Sequence, residues 1–281
     1  MRVVDLDRDM RDVIPTGATR DSEFLFARMT ERTLAATRAG AGLRVLDVAS
    51  GAGQDAAALA ARGAFAVAAE PSARMIGLAR LLAERDERAC RARDERACRA
   101  RDERACRARD VRAWGDALPF ATGSFDAVFC KGALDHFDAP EAAIAEMARV
   151  TRREGRVVLA IANFDSLACR VARLSDQVKE EWLGRAPRPG RRHYDVPHDH
   201  FTRYDPGLMR AQAGAHLHLE IVQGVSLAWG LPGWSRAVSR LPEGAAHLAL
   251  RALDQLATRW PEAADVLVLA GRPRRTSSSS A

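Results

Sequence analysis

The sequence predicts a single α/β protein built on a doubly wound, mostly parallel sheet with flanking helices. Residues 44–56, RVLDVASGAGQDA, are typical of a buried strand, a tight turn and the start of an alanine-rich helix. Further short apolar runs end in acids or turn residues and are followed by helical segments, which is the pattern of parallel strands joined by helices. With 281 residues, 47% of them hydrophobic, the chain is long enough to bury a sizeable core.

The turn after the first strand is the best candidate for a ligand site. Gly51 and Gly53 allow a sharp turn and a close approach of ligand to main-chain N–H groups at the start of a helix. With Ala56 and Glu70 they also fit the dinucleotide pattern G-x-G-x-x-G/A, so an NAD(P)-dependent oxidoreductase is one alternative. The carboxylate of Asp47 would repel a pyrophosphate and suits a ligand with an ammonium and a sulfonium, which favours S-adenosylmethionine (SAM). The other interpretation of Asp47 is an acid that only accepts hydrogen bonds from loop N–H groups.

The segment VLDVASGAG resembles motif I of the class I SAM-dependent methyltransferases, of the small-molecule type grouped around ubiquinone-biosynthesis-like enzymes. Residues 66–80, 115–137 and 146–163 resemble later segments of that family. The resemblance implies a Rossmann-like, seven-stranded sheet whose last strand is antiparallel, SAM as the cofactor, and methyl transfer to a small-molecule acceptor with an O, N or C nucleophile. Two departures are Ala49, where the family often has glycine, and TRREG at 151–155, where it usually has LRPGG.

The N-terminal 42 residues are expected to form a helical cap, with Asp21 as the N-cap of its helix. The resemblance implies that this helix flanks the cofactor pocket. The second strand, FAVAAE, ends at Glu70, where a carboxylate can accept both ribose hydroxyls. Pro71 and Ser72 then open the next helix, with Ser72 as its N-cap.

The octapeptide RDERACRA occurs three times in residues 85–108. Each copy turns a helix by about 80° relative to the last, so the copies share no continuous face to bury. We expect a charged excursion of helical character that arose by tandem duplication. Cysteines eight residues apart do not have the spacing of zinc ligands.

After a third strand at 111–114, the resemblance assigns Asp116 to the adenine amino group and the Ala117 N–H to a ring nitrogen. The fourth strand, at 125–130, is followed by Lys131 and the segment ALDHF at the carboxyl edge of the sheet, where ligands bind. The predicted cofactor site comprises Asp47, Ala49, Gly51, Gly53, Glu70, Pro71, Asp116, Ala117 and Lys131.

A fifth strand is predicted at 156–163, and the resemblance implies a helical lid over the substrate at 164–214. The last two strands are expected at 217–226 and 265–272, joined by a helical stretch that begins around Trp234. The methyltransferase domain thus spans residues 1–271, and residues 272–281 are expected to be a disordered tail.

Methyl transfer from a sulfonium needs a positioned nucleophile in a dry pocket and no covalent enzyme residue. A general base matters only for a hydroxyl or a protonated amine, and His136 is then the candidate, with Asp135 beside it to raise its pKa. A histidine that packs or caps a helix is the alternative. The segment 193–205 lacks a recognised metal spacing, so no metal is expected. We expect it to line the acceptor pocket through His193, Tyr194, His198 and His200.

The net charge of +6 does not by itself indicate nucleic acid, because half of the excess lies in residues 85–108 and the other basic clusters lack interleaved aromatics. No apolar run is long enough to span a membrane, the N-terminus is charged, and the five cysteines form no C-x-x-C pair, so a cytoplasmic protein is expected. It could be a monomer or a homodimer. A methyltransferase-like binding protein without catalytic activity is the second alternative.

Overall fold

The computed structural model describes residues 19–93, 108–184, 192, 194–195 and 200–274; within the helix that ends at Arg93, side chains are described as far as Arg85. Most of the repeat, His193, His198 and the residues after Arg274 therefore lie outside the described residues, as do the predictions made for them.

Seven strands and eight α-helices cover most of the described residues. The strands are β1 Arg44–Val48, β2 Phe65–Ala69, β3 Arg109–Val111, β4 Phe125–Lys131, β5 Thr151–Ala162, β6 Leu217–Val225 and β7 Val266–Pro273. The helices are α1 Arg20–Thr37, α2 Gln54–Ala60, α3 Ala73–Arg93, α4 Pro140–Val150, α5 Leu167–Glu181, α6 Pro206–His216, α7 Trp234–Arg240 and α8 Glu243–Arg259.

The seven strands form one sheet in the order β3-β2-β1-β4-β5-β7-β6. The neighbours from β3 to β5 pair in parallel, and β7 pairs antiparallel with both β5 and β6. The predicted sheet with an antiparallel last strand is confirmed. The strand order reverses between β1 and β4, so the carboxyl end of β1, where the glycine turn begins, lies at the position where open α/β sheets bind ligands.

Helices cover both faces of the sheet because successive strand residues point to opposite faces. In β1, Val45 belongs to a buried cluster with Leu25 and Met29 of α1. The next residue, Leu46, belongs to the opposite cluster with Ile144 and Met147 of α4. Burying each such side chain contributes roughly 1.5–3 kcal/mol, so the two helix layers hold the sheet, including the edge where the strands end, in place.

Several predicted boundaries are corrected by the structure. Helix α1 begins at Arg20 with Thr19 at its N-cap, and Asp21 is a buried first-turn residue rather than the cap. Ser72, in contrast, does cap α3, since its Oγ accepts a hydrogen bond from the Met75 N–H at 3.2 Å. Strand β3 lies two residues earlier than expected, because Trp114 pairs back on Ala117 in a turn.

Strand β5 begins at Thr151, five residues earlier than expected, so TRREG belongs to the strand. A Cβ on Gly155 would lie 2.7 Å from the Asp126 carbonyl oxygen on β4, which explains why this position needs glycine. Strand β7 extends to Pro273, so the last residues of the sheet include the first two of the predicted tail.

Candidate active site

The turn between β1 and α2 has the backbone conformation that its glycines predict. The φ angles of Ala49, Gly51 and Gly53 are 56°, 56° and 70°, all in the left-handed region. Glycine adopts this region freely, whereas alanine pays a steric cost for it. Where the family often has glycine, Ala49 therefore follows the left-handed backbone conformation that suits glycine and is strained by it.

Glu70 joins this turn to the end of β2. Its two carboxylate oxygens accept hydrogen bonds from the Gly51 N–H at 2.9 Å and from the Ser72 N–H at 3.0 Å. Burial raises the pKa of Glu70, and these two backbone donors act against that rise. A carboxylate has about four acceptor positions, so two remain for the hydroxyls of a ribose.

A cavity of about 200 Å³ opens beside the turn and brings five predicted site residues together. Its lining includes Ala49, Glu70, Pro71, Asp116 and His136, which follow four different strands. The rest of the lining is formed by residues that the sequence did not single out, although Ala133, Phe137 and Phe201 lie in segments predicted at the site. These residues are Trp114, Gly115, Ala133, Phe137, Asp138, Ala139 and Phe201.

Two of these additional residues had a signal in the sequence. Gly115 stands directly before Asp116, and a Cβ at this position would come 2.5 Å from the Phe137 ring, so the glycine allows this ring to pack against the backbone. Phe137 in turn directly follows His136. The aromatic walls are of the kind that a flat heterocycle needs.

Asp47 and Lys131 lie behind the turn rather than on the lining of this cavity. Asp47 is 4% exposed, and the Ala56 N–H at the start of α2 acts to lower its pKa. The Lys131 ammonium pairs with Asp55 at 2.6 Å and donates to the Thr30 hydroxyl at 2.6 Å. Burial, with Asp55 adding to it, raises the pKa of Asp47 well above its usual value, and Lys131 opposes that rise.

The main-chain donor predicted at Ala117 is also used within the protein, because its N–H donates to the Trp114 carbonyl at 3.1 Å. Tyr194 belongs to the segment predicted to be a lid, and its hydroxyl accepts from Arg192 at 2.7 Å and donates to Asp176 of α5 at 3.2 Å. For both residues, contact with a ligand stays a prediction.

His136 and His200 meet at the end of β4. His136 closes the 3-10 turn Leu134–His136, and its ring centroid lies 4.2 Å from that of His200. The buried carboxylate of Asp135 is 2.7 Å from Nδ1 of His200 and 4.0 Å from Nε2 of His136. The Asp135 carboxylate thus lies closer to His200 than to His136, the residue on which the sequence suggested it would act. These three residues hold ligand-type atoms within 4.8 Å of one another and are the group in the described part of the chain best placed to hold a metal ion.

Further along the same edge of the sheet, Asp265 precedes β7. One of its oxygens accepts from the Trp229 N–H at 3.0 Å, and burial raises the pKa of Asp265 to about 7. Nearby, Asp254 of α8 is 2% exposed and pairs with Arg28 at 2.8 Å and Arg32 at 2.7 Å, both on α1. This buried carboxylate fixes α8 against the helix that flanks the site.

Comparison with known proteins agrees with this geometry. A family model described as "Methyltransferase domain" matches residues 46–159. A demethylmenaquinone methyltransferase of Mycobacterium marinum is 35% identical over 162 residues, which is 57% of each chain, so this chain spans little more than half the length of that relative. The enzyme of the same name from Thermobifida fusca is 31% identical over 192 residues, 64% of this chain and 70% of the relative.

Among solved structures, the geranyl diphosphate C-methyltransferase of Streptomyces coelicolor, bound to Mg²⁺, geranyl diphosphate and S-adenosyl-L-homocysteine, has a similar fold. It aligns with a TM-score of 0.54 at 16% identity, over 90% of this chain and 82% of that one. Among the described helices, none combines the length and the hydropathy that a membrane crossing requires.

Proposed function

The chain belongs to the class I SAM-dependent methyltransferase family, and from this premise we propose that it transfers the methyl group of SAM to a small-molecule acceptor. The observation that carries the proposal is the cavity beside the left-handed glycine turn, which is lined by Glu70 after β2 and Asp116 after β3. A ribose acceptor and an adenine acceptor at the ends of neighbouring strands are the pair of groups that an adenosine ligand requires.

Each residue of the site has a part in binding and orientation. Glu70 would accept the ribose hydroxyls with the acceptor positions that Gly51 and Ser72 leave free, and Asp116 would accept from the adenine amino group. When bound, SAM supplies a methyl on a sulfonium, whose transfer breaks the S–CH₃ bond, forms one bond to the acceptor and leaves a neutral thioether. Because the leaving group is neutral, the protein mainly has to align the acceptor and exclude water.

His136 is the proposed catalytic residue, because it lines the cavity and stands after β4 at the carboxyl edge of the sheet. His200 and Phe201 approach from the lid side, and Phe201 also lines the cavity. We place the acceptor between these lid residues and the end of β4, with His193, Tyr194 and His198 as further candidates for contact.

The relatives named above suggest demethylmenaquinone, supplied in its reduced hydroquinone form, as the first acceptor to test. The methyltransferase comparisons do not favour the two alternatives, an oxidoreductase and a binding protein without activity. A small-molecule partner rather than nucleic acid, and a cytoplasmic location, remain parts of this proposal.

The test is calorimetric titration of the full-length protein with SAM and, separately, with NADH and NADPH, followed by transfer of radiolabelled methyl from SAM to candidate acceptors. We expect saturable binding of SAM and none of the dinucleotides. Binding of NADH or NADPH in place of SAM would refute the proposal.

A further inference from the structure

The group formed by Asp135, His136 and His200 has the composition of a metal site. One carboxylate and two imidazoles are the ligand set of several catalytic transition-metal sites. Their ligand atoms lie within 4.8 Å of one another, with separations of 2.7 Å between Asp135 and His200 and 4.0 Å between Asp135 and His136. Bonds of about 2.0–2.2 Å to one ion place ligand atoms roughly 3–4 Å apart, so small side-chain movements would complete the geometry.

Backbone contacts hold the three residues in place. Asp135 and His136 belong to the short 3-10 turn that follows β4. The Asp135 carbonyl oxygen accepts from the Phe201 N–H at 2.8 Å and from the Thr202 N–H at 3.3 Å, which fixes the residue after His200 against the turn. These main-chain hydrogen bonds therefore hold His200 close to Asp135 whether or not the two side chains interact.

Two buried polar atoms of this group lack the hydrogen bonds that burial normally requires. Oδ1 of Asp135 and Nδ1 of His200 make no hydrogen bond within the described part of the chain, although both are buried. The close approach of Nδ1 to the other Asp135 oxygen does not have the angles of a hydrogen bond, and the Asp135 side chain is only 4% exposed. A buried carboxylate oxygen without a donor is costly, and a bound cation removes that cost.

We propose that Asp135, His136 and His200 bind a divalent transition-metal ion of the Zn²⁺ type. The imidazole ligands select against Mg²⁺ and Ca²⁺, which prefer sets of oxygen ligands. The spacing rules that led us to expect no metal examined single segments, whereas these ligands come from two elements that only the fold brings together. His136 belongs both to this group and to the cavity lining, so the ion lies at the wall of the proposed acceptor site.

The consequence for the reaction rests on the proposed function. An ion at this wall binds an oxygen of the acceptor and stabilises its ionised form. For a hydroxyl acceptor, the O–H loses its proton to solvent, the oxygen forms a bond to the methyl carbon, and the S–CH₃ bond breaks with its electron pair on sulfur. For a ring-carbon acceptor, the ionised ring oxygen raises the electron density of that carbon, which forms the bond to the methyl and then loses its own proton. His136 then acts as a ligand of the ion rather than as the general base that the sequence suggested.

The test measures metal binding directly, with tag-free, metal-stripped, full-length protein. Co²⁺ is the spectroscopic probe, because its visible absorption reports imidazole and carboxylate ligation, and Zn²⁺ and Mg²⁺ are competitors. The wild type is expected to bind one Co²⁺ that Zn²⁺ displaces and Mg²⁺ does not. Asp135→Asn and His200→Gln should each weaken binding by at least roughly 10–100-fold. His218→Gln, which removes an exposed histidine of β6, is the matched control and should bind Co²⁺ as the wild type does.

Thermal unfolding of each variant shows that it is folded, and the wild-type titration stands even where a variant is not. Absence of Co²⁺ binding to the wild type, or equal binding to all four proteins, would overturn the proposal. SAM affinity, measured on the same metal-free samples, separates this result from a failure of the proposed function: a protein that binds SAM but not Co²⁺ refutes only the metal site.

Discussion

Replacing Glu70 by glutamine tests the proposed adenosine site at a side chain that holds the glycine turn and would also bind the ligand. The wild-type carboxylate accepts from two backbone donors, Gly51 and Ser72, and keeps two acceptor positions for the ribose. The amide of Glu70→Gln turns one of these oxygens into a donor, which removes at least one charge-assisted hydrogen bond to the ligand. Such a bond contributes about 1.5–3 kcal/mol. The dissociation constant for SAM should therefore rise roughly 10–150-fold.

Calorimetric titration with SAM measures this change. Glu220→Gln is the matched control, since Glu220 is a carboxylate on β6 that pairs with Arg156 and Arg272, away from the cavity lining. Glu70→Ala should weaken binding further, because it also leaves the Gly51 and Ser72 N–H groups without their acceptor. If both Glu70 variants bind SAM as tightly as the Glu220 control, Glu70 does not contact the ligand and the adenosine site is placed wrongly.

Four further changes test other parts of the structure. In urea unfolding, Asp254→Asn should lower the free energy of unfolding by about 2 kcal/mol. This is less than the roughly 3–5 kcal/mol for breaking a fully buried ion pair, because the side chains of the two arginine partners are 20% and 11% exposed. The pKa of Asp265 is about 7 in the folded protein against a usual 3.8. Protonation of Asp265 therefore favours the folded state by up to about 4 kcal/mol, an effect that is complete below about pH 4 and is lost as the pH rises through 7. Between pH 5 and 8 the calorimetric unfolding temperature should therefore fall more in the wild type than in Asp265→Asn. Ala49→Gly should raise the unfolding temperature, because it removes about 1–2 kcal/mol of left-handed strain and costs only roughly 0.5–1 kcal/mol in the entropy of glycine. No increase in the unfolding temperature would show that the strain is relieved elsewhere. Deleting residues 93–108, two copies of the repeat, should leave SAM affinity unchanged, since the remaining copy presents the same residues to β3; a loss of affinity would assign the repeat a role at the site.

Local chemistry made the cavity at the proposed cofactor site predictable. A strand, two glycines and a helix specify a turn whose backbone angles follow from sterics alone, and acids at strand ends must meet at one edge of a parallel sheet. Ala49, Glu70 and Asp116 could therefore be placed together before any coordinates were known. The third strand was misplaced by two residues because three-residue strands carry little periodicity and the Trp114 turn follows directly.

The acceptor half was less predictable, because its contacts join residues far apart in the chain. Adjacency suggested that Asp135 would act on His136, yet consecutive residues of a 3-10 turn point in different directions. The partner of Asp135 is His200, which the lid brings back through two hydrogen bonds to the Asp135 carbonyl. Sequence spacing holds no information about such a pair, which is also why spacing rules gave no indication of a metal.

Asp47 is buried, and this burial bears on how it could act on the cofactor. The sequence placed its carboxylate at the mouth of the turn, and the structure buries it, with the ion pair of Asp55 and Lys131 and the start of α2 close enough to shift its pKa. A buried carboxylate at this place can act by holding the start of α2 rather than by contact with the ligand. Substituting Asp47 should then weaken SAM binding mainly by loosening the turn, so a loss of SAM affinity accompanied by a lower unfolding temperature would indicate a positioning residue. The same loss at an unchanged unfolding temperature would indicate direct contact with the ligand.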